Sequence, residues 1–390
     1  MSEYKIGFWN YMDLKKHQPK MVGEWEELGY NYAMTPYYFP EEDPQKFFGI
    51  LEDCEKRNIQ IVIKACECSW EHLAAVGEEE FRKSIREMQR LFGGYKCVHS
   101  FFVGDEPEEE DMPIVAQACK IIKEEGKGIK PFLSVKTPIS MDRTALKNML
   151  IKLVKDGEME YIVYNCYSQC MANVEQRQQG IQSYFEFLNM FREIREATNV
   201  TVWLSILGLG HWYYRAPSQA DMRWQLNTAA LYGVKGVVWF FPYEYKYEPD
   251  LGPMNYAVNI FGDKTPTFGW QREENLKFLT FVAPELEGAT LKAVYQHWQF
   301  WLPMGGTDMF VKGKDDVVEN VTDDFNRPII ISRFEKADGT PLVAVCNGSQ
   351  TEMASVNVTF KAPYEKFTKS DIHLAPGGVY LFTFKENQKK

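Results

Sequence analysis

The sequence predicts an α/β protein in which a closed (β/α)8 barrel is followed by a small antiparallel β-sandwich. Residues 1–288 alternate between short β-rich runs and longer segments whose apolar residues recur at helical spacing, which is typical of parallel strands joined by crossover helices. Eight such units are present, the number that closes a barrel. After residue 288 the pattern changes to short alternating runs, so the predicted domains are 1–288 and 289–390.

The predicted barrel strands are short and rich in β-branched and aromatic residues. They are Lys5–Trp9, Tyr30–Thr35, Gln60–Ala65, Val98–Val103, Phe132–Val135, Tyr161–Asn165, Thr201–Ile206 and Gly236–Phe241. The segments between them carry helical faces: Phe81, Ile85 and Met88 recur at steps of three and four, with charged residues in the gaps. An open nucleotide-binding sheet is the main alternative. It is disfavoured because no Gly-x-Gly-x-x-Gly follows the first strand.

The last hundred residues predict a sandwich of short antiparallel strands. The alternating runs are Pro328–Phe334, Leu342–Asn347, Ser355–Phe360 and Gly378–Phe384, and glycine-containing turns separate them. Trp298 and Trp301 precede these runs. We expect them to pack at an interface with the barrel rather than to form a separate sugar platform.

Charge and composition exclude several classes of protein. With a net charge of -10, the chain is not expected to carry the basic surface that nucleic-acid binding requires. No apolar run is long enough to cross a bilayer, and Met1–Asn10 lacks the basic start and apolar core of a signal peptide, so we expect a cytoplasmic protein that does not associate with membranes. The eight cysteines and six histidines show no metal-binding spacing, so no metal or cofactor is predicted. The oligomeric state is left open.

The end of the fourth predicted strand carries the best candidates for chemistry. In a (β/α)8 barrel the reactive groups lie at the carboxyl ends of the strands, and this strand leads into Gly104-Asp105-Glu106-Pro107. A carboxyl group beside apolar residues can have its pKa raised by desolvation and act as a general acid, which makes Glu106 the catalytic candidate and Asp105 a substrate-binding one. The alternative is that both carboxylates only cap the helix that begins near Glu108.

This motif resembles a known group of enzymes. Clan A glycoside hydrolases, particularly β-galactosidase-like families, place their acid/base glutamate in Asn-Glu-Pro at the end of strand four, where this chain has Asp105-Glu106-Pro107. Arg223–Phe241 and Gly262–Pro266 are also similar to these families. The resemblance implies a glycoside hydrolase acting on a small oligosaccharide or glycoside, with Glu106 as general acid/base.

Strand seven departs from that group. Clan A enzymes use a second glutamate at its end as nucleophile, whereas Thr201–Ile206 continues into Leu207-Gly208. Retaining glycosidases need two carboxyl groups roughly 5–5.5 Å apart, and inverting ones about 6.5–9.5 Å. A second hypothesis is therefore a non-catalytic carbohydrate-binding barrel that has lost this nucleophile, and a third is elimination chemistry with Lys or Tyr as base.

Other charged residues near strand ends are candidates for supporting roles. Glu244, after strand eight, is expected to face Glu106 across the barrel as base or nucleophile; the alternative is a loop glutamate that holds an arginine or a sugar hydroxyl. Glu67, after strand three, suits substrate binding or tuning of the Glu106 pKa. Lys64 lies in strand three, where it could bind a carboxylate or sulfate or pair with Glu67.

The remaining candidates are aromatic and short polar residues at the same positions. Sugars present apolar CH faces edged by hydroxyl groups, so their sites combine aromatic platforms with polar side chains. The candidates for substrate binding that follow predicted strands are Trp9, Asn10, Tyr37, Trp70, Asn165, Tyr167, His211, Trp212, Trp239 and Tyr243. Any one of them could be ordinary packing. Their shared position predicts a carbohydrate site at the mouth of the barrel.

Overall fold

The computed structural model describes residues 4–244, 255–298 and 304–384, except the side chains of residues 174 and 175. Its first part is an eight-stranded parallel sheet that is nearly closed, which confirms the predicted barrel. The strands are β1 (Lys5–Phe8), β2 (Tyr32–Tyr38), β3 (Gln60–Ala65), β4 (Val98–Asp105), β5 (Lys130–Val135), β6 (Tyr161–Asn165), β7 (Thr201–Ile206) and β8 (Gly236–Trp239). Ladder hydrogen bonds run from β2 in order to β8 and then to β1. Trp301, expected at an interface, lies outside the described residues, while Trp298 is half-buried.

Helices cover the outside of this barrel. They are α1 (Lys20–Glu27), α2 (Pro44–Lys56), α3 (Trp70–Val76), α4 (Glu78–Phe92), α5 (Met112–Glu125), α6 (Arg143–Asp156), α7 (Val174–Thr198), α8 (Gln219–Leu231), α9 (Pro266–Lys277) and α10 (Ala283–Leu286). Asn31 bridges the seam between β1 and β2, since Ile6 N donates to its Oδ1 (2.9 Å) and its backbone N donates to Ile6 O (3.0 Å). Among the described helices, none has the length and apolar character of a membrane span.

Large aromatic side chains fill the inside of the barrel. Successive residues of a strand point to opposite faces of the sheet, so one set faces the helices and the other faces the barrel axis. The inner set is Trp9, Tyr32, Met34, Val62, Phe102, Phe132, Tyr161, Val163, Trp203 and Val238. Gly236 makes room for one of these rings, because a Cβ there would lie 2.8 Å from Trp203. The interior is therefore packed, which leaves the mouth of the barrel as the place for a site.

The second part consists of two small, mostly antiparallel sheets, which confirms the predicted β-rich region. Its strands are β9 (Thr290–His297), β10 (Asp308–Met309), β11 (Val318–Asp323), β12 (Ile329–Glu335), β13 (Pro341–Asn347), β14 (Ala354–Phe360), β15 (Lys369–Leu374) and β16 (Val379–Phe382). One sheet has the order β10-β9-β12-β13-β16 and the other β11-β14-β15. The aliphatic side chains between these sheets form their own core.

Helix α8 joins the barrel to these sheets. Trp224 donates its indole N–H to Gly348 O (2.8 Å), and Asn227 donates its amide to Gly377 O (2.8 Å). A boundary at residue 288 falls between the end of α10 and the start of β9. That the two parts fold independently stays a prediction, which deletion of the residues after Gly288 would test.

Candidate functional site

Two neighbouring carboxylates, Asp105 and Glu106, form a corner at the end of β4. The pairing of β4 with β5 shifts register between Phe102 and Gly104, and Glu106 has the left-handed backbone conformation (φ 50°). Such irregularities at strand ends re-aim side chains and are frequent at functional sites. Consecutive side chains of a regular strand point to opposite faces. The left-handed turn lets the Glu106 carboxylate reach the same partner as Asp105.

That partner is Asn165 at the end of β6. Its Nδ2 donates to Asp105 Oδ1 (3.1 Å) and to Glu106 Oε1 (2.8 Å), while its Oδ1 accepts a hydrogen bond from Ser134 Oγ (3.0 Å). The hydroxyl therefore orients the amide so that its nitrogen faces the two carboxylates. Because both contacts share one nitrogen, the two carboxylate oxygens lie less than about 6 Å apart.

The environment of this corner favours one bound proton. Desolvation and, after it, the charge of Glu106 raise the pKa of Asp105 from 3.8 to about 6, against the lowering effects of Asn165, Ser134 and Lys64. Asp105 and Glu106 both have exposed surface. Asp105 nevertheless lies at the junction of two cavities, where protein atoms replace much of the surrounding water, and desolvation is therefore the largest cause of its raised pKa. Burial and the neighbouring Glu106 charge therefore both disfavour the ionised form of Asp105.

The alternative role of Asp105 and Glu106 as helix caps is not what the structure shows. The short turn Glu109–Asp111 before α5 is closed by a capping box between Glu108 and Asp111, in which Glu108 N donates to Asp111 Oδ2 (3.1 Å). The two carboxylates of the corner are thus left to face the cavity.

Two cavities adjoin at this corner and share Tyr11 and Asp105. The lysine cavity, about 570 Å³, is lined by residues that include Trp9, Tyr37, Lys64 and Cys66. The aromatic cavity, about 400 Å³, is lined by Tyr11, Asp105, Glu106, Asn165, Tyr167, His211, Trp212, Tyr213, Tyr214, Phe240, Phe241 and Tyr256. Each volume is in the range of small-molecule sites. Together they make a cleft across the mouth of the barrel.

Lys64 is the buried cation of the lysine cavity. Its side chain is buried, and Nζ donates to Asn10 O (2.7 Å) and lies 4.2 Å from the centre of the Tyr37 ring. Burial lowers its pKa to about 8. Of the two roles considered for Lys64, pairing with Glu67 is not found, because Lys64 reaches the Asn10 carbonyl and the Tyr37 ring instead.

Several predicted binding residues support the cleft rather than line it. Asn10 is buried, and its side-chain amide is hydrogen-bonded to backbone groups. Its Nδ2 donates to Met34 O (3.1 Å) and its Oδ1 accepts a hydrogen bond from Met12 N (2.9 Å). Trp70 packs against Gly104, where a Cβ would lie 2.6 Å from its ring. Glu67 lines neither cavity, and one of its carboxylate oxygens is buried with no hydrogen-bond partner in the described part of the chain.

The aromatic cavity is bounded by rings from the four loops that follow β1, β6, β7 and β8. The Tyr167 ring meets Tyr214 and Phe240 edge to face, with centroids 5.8 Å and 6.0 Å apart. His211 stacks on Phe240 at 4.5 Å, and burial lowers its pKa to about 4, so it is a neutral wall at pH 7. Trp212 is 57% exposed at the rim.

At the foot of the neighbouring lysine cavity, Trp9 donates its indole N–H to Ser205 Oγ (2.6 Å).

Trp239 is a correction to the predicted binding set. It is fully buried against the helices, and its indole N–H donates to Asn275 Oδ1 (3.0 Å). In β8 it is Val238 that faces the barrel axis, so alternation turns Trp239 outward. The prediction placed Trp239 on the inner face of β8, and the inner position is one residue earlier, at Val238.

Glu244 and Tyr243 are a second correction. Both line a separate cavity of about 590 Å³ whose other residues include Lys15, Lys16 and Lys20. Tyr243 pairs with Val258, and Glu244 Oε2 accepts a hydrogen bond from Ile260 N (3.0 Å). The chain after β8 therefore turns over the rim toward α1, which takes Glu244 out of the cavity that holds Glu106.

Some cleft residues were missed by the sequence reasoning. Tyr11 and Phe240 follow strands β1 and β8 closely, so the same positional signal that found Trp9 could have found them. Tyr256 lies 17 residues after the end of β8, in the long loop before α9, so its position relative to a strand gave no indication that it lines the cavity. Within the described ranges, no group of three His, Cys, Asp or Glu side chains is arranged to hold a metal ion.

No protein-family model and no curated protein matches the chain, but solved structures resemble its fold. A β-galactosidase from Marinomonas ef1 is 9% identical with a TM-score of 0.54, over 72% of this chain and 61% of that one. A β-galactosidase from Rahnella sp. R3 is 9% identical with a TM-score of 0.56, over 75% and 58%. The catalytic domain of a Pyrococcus furiosus chitinase is 12% identical with a TM-score of 0.51, over 72% and 96%.

These similarities establish the fold: a (β/α)8 barrel of the kind found in β-galactosidases and other glycosidases. The chain spans about three fifths of the length of the two β-galactosidases. At 9–12% identity the likeness describes architecture and assigns no residue a role.

Proposed function

We propose that this chain is a glycoside hydrolase acting on a small oligosaccharide or glycoside, with Glu106 as general acid/base. The observation that carries the proposal is the corner at the end of β4, where Asp105 and Glu106 share the Asn165 amide and open into an aromatic-walled cavity. Strand carboxyl ends supply the catalytic groups of (β/α)8 enzymes. The structural likeness to glycosidases supports the same class of substrate.

The chemistry follows from the closeness of the two carboxylates. Their repulsion disfavours the state in which both are ionised, and it is one cause of the raised pKa of Asp105. In the proposed reaction Glu106 gives a proton to the glycosidic oxygen as the bond breaks, and the aromatic walls receive the apolar CH faces of the sugar. Glu244 has no part in this proposal, because it lines a different cavity.

A non-catalytic carbohydrate-binding barrel is the second candidate, and strand β7 favours it. That strand ends at Ile206 and continues into Leu207, so it supplies no carboxylate where β-galactosidase-like enzymes carry their nucleophile. Such a protein would use the cleft to hold sugars without breaking them.

The two candidates are separated by Glu106→Gln, a substitution that keeps the shape of the side chain but removes its proton. Turnover of aryl glycosides of both anomeric series would be measured, together with sugar binding by calorimetry. Loss of turnover by about 10²-fold or more with binding nearly unchanged supports the hydrolase and excludes the binding-only protein. Glu109→Gln, an exposed carboxylate of the same loop outside the cavity, is the matched control and should leave turnover unchanged. If a broad panel of glycosides binds the unsubstituted protein but is never cleaved, the hydrolase proposal fails.

A further inference from the structure

We propose that Gln350, in the second part of the chain, is a positioning residue for the sugar site. Its side-chain amide holds together two barrel loops, residues 166–173 after β6 and 207–218 after β7, which we call the wall loops because their rings line the aromatic cavity. The inference rests on the proposed function where it concerns sugar binding, but its effect on the loops can be measured without a substrate.

The two wall loops lie against each other at the mouth of the barrel. Backbone hydrogen bonds join them, from Ala172 N to Tyr213 O (2.8 Å) and from Arg215 N to Cys170 O (2.8 Å). The rings that they place in the lining of the aromatic cavity are those of Tyr167, His211, Trp212, Tyr213 and Tyr214. Movement of either loop would therefore move rings that the proposed sugar contacts.

Arg215 anchors the end of the second wall loop. Two of its guanidinium nitrogens donate to the two carboxylate oxygens of Asp221 (2.6 Å each), in the first turn of α8, and the Asp221 side chain is only 4% exposed. A bidentate pair of this kind fixes both the position and the plane of the guanidinium group. Arg215 Nη2 also donates to Gln350 Oε1 (3.3 Å), so the anchor extends to the second part of the chain.

Gln350 contacts both wall loops with one side chain. It lies in the loop between β13 and β14 and is buried, and while its Oε1 accepts from Arg215, its Nε2 donates to Gln169 O (3.3 Å) in the first wall loop. Gln169 directly precedes Cys170, whose carbonyl accepts from Arg215 N. An amide can accept from one loop and donate to the other at the same time, which neither a hydrocarbon nor a carboxylate of similar length can do.

Other contacts join the two parts of the chain independently of Gln350. Trp224 donates to Gly348 O (2.8 Å) and Asn227 donates to Gly377 O (2.8 Å), both from α8. These bonds remain when the Gln350 amide is removed. Its loss should therefore loosen the wall loops without separating the two parts.

The catalytic corner is held by different bonds. Asn165 Nδ2 holds Asp105 and Glu106, and Ser134 Oγ orients the Asn165 amide. Looser wall loops should therefore weaken the hold of the rings on the sugar more than they slow the proton transfer. The expected signature is a rise in KM with little change in kcat.

The first test needs no ligand. Gln350→Met keeps the length of the side chain and removes both hydrogen bonds. Amide hydrogen exchange, measured by mass spectrometry, should become about tenfold faster in peptides of the two wall loops and stay unchanged in peptides of α8 and the second part. Thr351→Ala, which shortens the exposed next side chain of the same loop, is the matched control and should exchange like the unsubstituted protein. Unchanged exchange of both wall loops in Gln350→Met would overturn the inference.

Gln350→Glu separates the two contacts. Its carboxylate still accepts from Arg215 but cannot donate to Gln169 O. Exchange in residues 207–218 should therefore accelerate less than in Gln350→Met. A purely structural role for Gln350 would lower Tm in both variants without faster exchange in the wall loops, and that result would also contradict the proposal.

The second test measures the sugar site with 4-nitrophenyl glycosides of both anomeric series. For the glycosides that are cleaved, KM should rise about tenfold in Gln350→Met while kcat changes by less than about threefold, and Thr351→Ala should change neither. Faster exchange of the wall loops with an unchanged KM would refute the role of Gln350 in sugar binding and leave the hydrolase proposal standing. If the unsubstituted protein cleaves no glycoside of the panel, the hydrolase proposal fails, while the exchange of the wall loops still decides whether Gln350 holds them.

Discussion

Replacement of Lys64 by methionine should change how the stability of this protein depends on pH. Lys64 is almost completely buried, with its Nζ on the Asn10 carbonyl and against the Tyr37 ring. Burial lowers the pKa of Lys64 from 10.5 to about 8. Methionine fills a similar volume and carries no charge.

The magnitude follows from that change in pKa, which corresponds to about 3 kcal/mol between the charged and neutral forms. Below pH 8 both the folded and the unfolded chain hold the proton, so the folded state carries the full cost of a buried charge. Between pH 8 and 10.5 the folded chain releases the proton while the unfolded chain keeps it, so the free energy of unfolding rises with pH. In the Lys64→Met variant the free energy of unfolding does not rise with pH in this way. The Asn10 carbonyl loses its donor in the variant, at a cost of about 1–3 kcal/mol that does not depend on pH.

Urea unfolding at several values between pH 7 and 10.5, followed by tryptophan fluorescence, measures the effect as a difference between the two proteins. The stability of the unsubstituted protein relative to Lys64→Met should increase by about 3 kcal/mol across this range. Lys152→Met, which removes an exposed lysine of α6, is the control. Parallel curves for Lys64→Met and the unsubstituted protein would refute a buried, charged Lys64 at neutral pH.

Four further predictions concern the corner and its corrected neighbours. Asn165→Ala removes the only described donor shared by the two carboxylates, and steady-state kinetics should show a fall of about 10²-fold in kcat with a smaller change in KM. The proposed proton transfer uses Glu106 beside an ionised Asp105, so kcat/KM should fall as pH drops through about 6, and Asp105→Asn should lose that limb of the profile. Glu244→Gln should leave kcat and sugar binding unchanged, because the residue lines another cavity. Trp239→Phe should lower the free energy of unfolding by about 2–4 kcal/mol in denaturant titrations, because it leaves Asn275 Oδ1 without its donor and a cavity beside the smaller ring, and it should leave sugar binding intact.

Strand positions were predictable because they depend on local patterns. Each barrel strand is a short run of β-branched and aromatic residues, and the structure places all eight of the predicted strands in one parallel sheet. The corner at Asp105 and Glu106 was predictable for the same reason: a carboxylate after a strand of a (β/α)8 barrel lies at the mouth of the barrel. Asn165, at the end of β6, was found by this rule as well.

Local patterns did not predict which face of the sheet a side chain occupies or where a long loop runs. A change of one residue in strand register exchanges the inner and outer faces, which is why Trp239 packs on the helices although its neighbour Val238 faces the barrel axis. Glu244 lies five residues beyond the end of β8, and the pairing of Tyr243 with Val258 decides where it goes. That pairing joins segments far apart in sequence, so no local pattern specifies it.

The sequence by itself determined the order of the elements, the closure of eight strands and the presence of an acidic pair at the end of the fourth strand, because hydrophobic periodicity and turn residues act over a few positions. Tertiary structure alone decided that one amide of Asn165 holds both carboxylates, that Lys64 meets the Asn10 carbonyl rather than Glu67, and that Glu244 belongs to another cavity. These contacts depend on the relative height and rotation of strands that are distant in the chain, and those are set by the packing of the whole barrel.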